Sequence, residues 1–131
     1  MKRTSSLCCV LLVSVAALLS AFTAYAQSNT AKHKPDLADV AEGTYFGDVI
    51  SDSKGSSKSN VTVTVTRIGK DRVRITSNYA RLPMVEVSLT QAMGKILNAS
   101  TDTTFLLDRS VNPPHLDISF FNEVSWAGSK R

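Results

Sequence analysis

The sequence predicts an all-β fold, a small antiparallel up-and-down β-barrel of seven or eight strands. Three observations predict it. From Gly43 onward apolar and polar residues alternate, as in Asn60 to Arg67, where Val61, Val63 and Val65 share one parity and Thr62, Thr64 and Thr66 the other. Turn-forming residues interrupt these runs at about the 8–12-residue spacing of a sandwich or barrel. No stretch from Gln27 to Arg131 shows a sustained helical period. Closing a meander into a barrel is economical, because closure removes exposed strand edges.

The elements follow in order. Lys2 and Arg3 precede an apolar run from Leu7 to Phe22, and Ala24-Tyr25-Ala26 supplies small residues for signal-peptidase cleavage. Residues 1–26 are therefore expected to be a signal peptide, which leaves no stable membrane span after cleavage. Residues 27–42 read as a polar, flexible lead, in which Asp36 caps a single helical turn over Leu-Ala-Asp-Val-Ala. His33 stands there between two lysines and is expected to be solvated. The barrel domain is assigned to 43–131.

Its first strand is Gly43 to Ser51, followed by a polar loop from Ser51 to Ser59 and a second strand from Asn60 to Arg67. Gly69-Lys70-Asp71 turns the chain into Arg72 to Ser77, with Val73 and Ile75 inward. A fourth strand is expected over Met84 to Thr90. Periodicity leaves Gln91 to Asp102 open between a short strand near Lys95 to Asn98 and a loose helical turn. Thr103 to Asp108 is a strand, Pro113 and Pro114 stiffen a loop, and Leu116, Ile118 and Phe120 mark another inward face. A last strand runs through Val124 and Trp126.

Composition narrows the function. Both cysteines, Cys8 and Cys9, lie in the signal segment, so the exported chain would hold together without disulfides and has no thiol nucleophile. Taking Lys2 and Arg3 from the 15 basic residues leaves 13 against 11 acidic, a net charge of +2. Such a mild bias makes no case for nucleic acid. Arg67, Lys70, Arg72 and Arg74 gather around one hairpin and are expected on a solvated face. No Gly-x-Ser-x-Gly elbow and no phosphate loop are present. The expected protein is not an enzyme, carries no cofactor or metal, and is periplasmic or secreted.

Gly43-Thr44-Tyr45 opens the first strand after a helical turn, and Trp126, Lys130 and Arg131 lie in the last strand. This resembles the Gly-x-Trp opening of the lipocalins and the wider calycin group, with Tyr45 in place of tryptophan. The resemblance implies an up-and-down barrel whose last-strand basic residue packs on the first-strand aromatic. It also implies a small apolar ligand. A second likeness, of composition, is to periplasmic lysozyme inhibitors, small exported β-barrels that act through an exposed loop; Lys54 and Lys58 give Ser51 to Ser59 that character.

Two functions follow as expectations. One is a non-catalytic exported binding protein holding a small apolar ligand at the barrel mouth, lined by Tyr45, Phe105, Phe120 and Trp126. The alternative is a module that binds an exported protein partner, such as a periplasmic enzyme inhibitor, through loops carrying Lys54, Lys58 and His115. An internal pocket touching Tyr45 and Trp126 favours the first; a filled barrel with protruding loops favours the second. His115 and Asp117 share one side of a strand, but a zinc site needs about three or four ligands. Phe120 and Phe121 are adjacent, so one of them must lie outside the barrel.

Overall fold

The computed structural model describes residues 33–100 and 102–131; the signal-peptide assignment and the first part of the lead lie outside the described residues. A short helix, α1 (Leu37–Ala41), precedes nine strands: β1 (Gly43–Asp52), β2 (Lys58–Gly69), β3 (Arg72–Ser77), β4 (Val85–Ser88), β5 (Thr90–Ala92), β6 (Lys95–Ala99), β7 (Thr103–Asp108), β8 (His115–Phe120) and β9 (Val124–Lys130). The predicted turn over 37–41 is present, with Asp36 as N-cap. Its carboxylate accepts from the N–H groups of Ala38 and Asp39, and the Asp39 carboxylate accepts in return from the Asp36 N–H.

All neighbouring strands are antiparallel, in the order β4-β3-β2-β1-β9-β8-β7-β6-β5. The first and last strands of the chain thus pair with each other, as an up-and-down barrel requires. The strand expected over Met84 to Thr90 is divided at Leu89: the part before it pairs with β3 and the part after it with β6. The Leu89 N–H bonds to the Asp71 carbonyl at 2.7 Å and its side chain turns inward, so the chain changes partner without leaving the wall. Beside β4 this leaves a seam, a concavity of about 450 Å³ between Val85–Ser88 and residues including Asn98, Asp102 and Phe121. The barrel is therefore nearly closed.

The ambiguous stretch after Gln91 is a hairpin. Met93 (φ 51°) and Gly94 (φ 75°) form its two-residue turn, the conformation of tight hairpins that match strand twist. Phe120 ends β8 and is buried, whereas Phe121 (φ 49°) has left the strand and is exposed.

The interior is filled. Val61, Val63, Val65, Val73 and Ile75 all point inward, as their parity predicts, and join Tyr45, Phe105, Phe120 and Trp126 in one buried cluster. Trp126 lies opposite Val49 and Ile118, and its indole N–H donates to the Val61 carbonyl at 3.1 Å. Gly47 and Gly128 face each other across β1 and β9. A Cβ on Gly47 would overlap the Ala127 carbonyl and one on Gly128 would sit 2.6 Å from the indole ring, so both positions need glycine for this close approach.

Both ends are covered. At one, Ala38 and Ala41 of α1 pack onto the core without exposed surface. At the other, a turn with a Leu82 N–H to Tyr79 carbonyl bond of 3.0 Å brings Leu82 into the core, while Asn78 and Ala80 stay exposed. There Arg81 grips Asp52 through two bonds of 2.7 and 3.1 Å, and the Asp52 side chain has no exposed surface.

Candidate functional site

The helix end of the barrel carries the largest of the concavities described here, about 610 Å³. Its walls come from the lead (His33, Lys34, Pro35, Asp36), α1 (Leu37, Val40), the end of β2 and the following turn (Arg67, Lys70, Asp71), β5 (Gln91) and the segment after β7 (Arg109). Four tethers hold α1 against this end. Arg67 Nη2 donates to Asp36 at 2.9 Å, and the Leu37 N–H donates to the Asp71 carboxylate at 2.9 Å. Tyr45 Oη donates to the Ala41 carbonyl at 2.7 Å and Lys130 Nζ to the Val40 carbonyl at 3.2 Å. Five residues make too short a helix to persist alone, so these tethers are what keep it.

Tyr45 and Lys130 are also cross-strand partners, and the Lys130 ammonium lies 5.9 Å from the Tyr45 ring centroid. The last-strand basic residue does pack on the first-strand aromatic. Burial pushes the Tyr45 phenol up to about 12.

Arg67 departs from the expected solvated face. It continues the inward parity of Val61, Val63 and Val65, so at the end of β2 its guanidinium reaches into the mouth. There its hydrogen bond holds the Asp36 carboxyl well below the usual carboxylate range, and Asp36 raises the Arg67 value in turn. Arg67 Nε is enclosed with no hydrogen-bond acceptor, although Asp39 Oδ1 stands 3.5 Å away. Arg72 and Arg74 do lie on the outer face, both paired with Glu86.

His33, Asp36 and Asp39 bring one ligand atom each within 4.8 Å. Those atoms are occupied: both Asp39 oxygens lie 2.8 Å from His33 Nε2, and Asp36 holds Arg67 and two backbone N–H groups. The Arg67 guanidinium lies against both carboxylates, 2.9 Å from Asp36 and 3.5 Å from Asp39, and the two aspartates form the capping box of α1.

On the outside wall near the same end, two grooves share Ser129. One, about 410 Å³, lies under the loop after β7 and is lined by Leu106, Val111, Pro113, His115 and Asp117 among others; the other, about 400 Å³, is lined by Phe46, Ser129, Lys130 and Arg131. The Arg131 guanidinium lies 4.7 Å from the Phe46 ring centroid. His115 Nδ1 is 3.3 Å from Ser129 Oγ, and Nε2 is 3.5 Å from Asp117. Serine, histidine and aspartate thus stand in line, but with long contacts on a wet sheet face. Activation of a serine needs short, shielded bonds and a buried aspartate, and Asp117 is half exposed. A polar ladder is what this geometry makes.

Tyr45, Phe105, Phe120 and Trp126 come together, at 0–1% exposure, in the barrel core. None of them lines the four concavities described. The two expected interaction loops lie at opposite ends, because Ser51 to Ser59 joins β1 to β2 and Val111 to His115 leads into β8 beside the chain's last residues. At the far end Lys54 pairs with Glu123 at 3.3 Å, and Lys58 sits 5.1 Å above the Tyr79 ring. His115 shares a groove with Val111 and lies opposite Ser129, whose other cross-strand neighbour is Phe46. The mouth residues Lys34, Gln91 and Arg109 were not signalled by the sequence, since they come from separate segments without a motif, and Lys70 was signalled only as part of the basic hairpin expected on a solvated face.

No family model, no curated protein and no solved structure matches this chain. No helix among the described residues is long and apolar enough to cross a membrane.

Proposed function

We propose that this chain is a non-catalytic exported binding protein, of lipocalin-like build, whose barrel is a solid scaffold and whose outer surface binds a protein partner. The observation that carries this is the filled interior: Trp126, Tyr45, Phe105 and Phe120 occupy the space a barrel ligand would need. The contact face is the wall around β1, β9 and β8, where half-exposed Phe46 and Val111 flank two adjoining grooves. Apolar anchors beside an arginine, ringed by Ser129, His115 and the charged Lys95, Asp108, Asp117 and Lys130, make a contact centre with a polar rim. The Ser51 to Ser59 loop is a weaker candidate, because its lysines are already engaged. Export rests on the character of residues 1–26, and a periplasmic or secreted location follows from it.

The test is native mass spectrometry of the protein taken gently from its own host, alongside Phe46→Asp, Val111→Asp and Lys58→Glu variants. A discrete partner of fixed stoichiometry, kept by Lys58→Glu and lost by the other two, supports the reading. A bare monomer, or a partner indifferent to Phe46→Asp and Val111→Asp, overturns it. The reading of a small ligand at the barrel mouth keeps one observation in its favour, the 610 Å³ concavity beside α1.

A further inference from the structure

The concavity beside α1 combines two features that the tethers of the helix do not explain. Leu37 and Val40 present apolar surface to it while packing on the core. Around them stand Lys34, Lys70 and Arg109, three exposed cations from three separate segments. None of the three pairs with a carboxylate among the described residues, whereas the two carboxylates that line the space are engaged. Asp36 holds Arg67, and Asp71 accepts from the Leu37 N–H. Counting Arg67, the lining carries four cations and two carboxylates; Asp39, 3.5 Å from Arg67 Nε, is engaged with Arg67 and His33 and leaves the other three cations unbalanced. Like charges converging on one concavity repel one another, and an anion relieves that repulsion.

We propose that this concavity binds an amphiphilic anion, a carboxylate or phosphate headgroup carried on a short apolar body. The head lies among Lys34, Lys70 and Arg109, and the body covers Leu37 and Val40. A volume of about 610 Å³ falls within the usual range for small-molecule sites, about 300–1,000 Å³. The cations are exposed lysines and an arginine without a carboxylate partner among the described residues, so headgroup recognition is mainly electrostatic and weakens with salt. The apolar wall discriminates against bare ions. Because the site lies outside the core, it needs no opening of the barrel. It is separate from the proposed protein contact, and neither depends on the other.

The experiment is amide NMR titration of the protein with four probes at equal concentration: octanoate, octyl phosphate, acetate and 1-octanol. Shifts confined to 34–40, 67–71, Gln91 and Arg109, produced by octanoate or octyl phosphate well below the concentrations needed for acetate or octanol, support the proposal. The two amphiphiles compared with each other distinguish the carboxylate from the phosphate head. Lys70→Gln and Arg109→Gln each weaken binding about five-fold, the upper end for an exposed ion pair. Lys58→Gln, at the opposite end, leaves it unchanged. Binding of acetate as tight as octanoate reduces the site to a simple anion patch and overturns the proposal. Equal binding of octanol, or the absence of shifts at these residues, overturns it too. The same spectra report whether each variant is folded.

Discussion

Replacing Trp126 by alanine tests the claim that the barrel is a solid scaffold. The indole is 1% exposed, packs beside Val49 and Ile118, and donates to the Val61 carbonyl. Truncating a buried tryptophan costs about 3–5 kcal/mol, from lost transfer energy and the cavity left behind. Of this, about 1 kcal/mol belongs to the hydrogen bond. For a domain of this size 4 kcal/mol corresponds to a loss of about 15–30 °C in Tm. Far-UV circular dichroism through urea and thermal unfolding reads the change, and remains usable when the only tryptophan is gone. Trp126→Phe separates the terms, keeping a ring while deleting the donor, and costs about 1–2 kcal/mol. The alanine cavity is dry and apolar, so indole should bind it and restore about 1.4 kcal/mol at ten times its Kd. Indole should leave the parent protein unchanged. A loss below about 1 kcal/mol, or equal stabilisation of parent and variant by indole, would refute the filled interior.

Gly47→Ala destabilises by about 1–3 kcal/mol or more, because its Cβ meets the backbone of β9, while Gly69→Ala is neutral, its nearest atom being 3.9 Å away; urea midpoints compare them. Acid stability tests Asp52. The Arg81 hydrogen bonds lower its carboxyl from 3.8 to about 2, so its contribution is full above pH 4 and is lost as pH falls from about 4 to about 2. Asp52→Asn shrinks that acid limb without abolishing it, since Arg67 and Lys95 lower Asp36 and Asp108 in the same direction. In alkali the sign reverses: with the Tyr45 phenol raised to about 12, its contribution is full below pH 10 and disappears between about 10 and 12. Phenolate absorbance should show one late-titrating tyrosine, absent in Tyr45→Phe.

Much of the fold was legible because its signals are local. The alternation from Val61 to Val65, repeated at Val73 and Ile75, fixes which face is dry, and the register then has little freedom. The bounds Arg72–Ser77 and Thr103–Asp108 agree with the sequence reading because turn residues frame them closely. Leu89 hid the division of β4 from β5, since its inward parity is continuous with Val87 and only its neighbours change. Met93 hid the hairpin turn, for a bulky residue at positive φ is not the Asn-Gly or Asp-Gly that marks one. The mouth was harder still. Arg67 obeyed the same parity as the valines, so the clue was present, but a cation at an inward position reads as a strand end unless its partner is known. That partner, Asp36, lies 31 residues away in the chain.

The two ends of the barrel handle charge in opposite ways, and this gives the helix end its interest. At the far end Asp52 is wholly enclosed and satisfied by Arg81, Tyr79 and the Lys54 N–H, so the ion pair completes the wall. At the helix end the tethers hold a five-residue helix in place, and among the described residues Lys34, Lys70 and Arg109 pair with no carboxylate. Stability alone does not require three cations around an apolar concavity; replacing one by glutamine removes repulsion and should leave stability unchanged or slightly raised. Unfolding midpoints of Lys34→Gln, Lys70→Gln and Arg109→Gln check this directly. A loss above about 1 kcal/mol in any of them would assign that cation to the fold and remove it from the binding site.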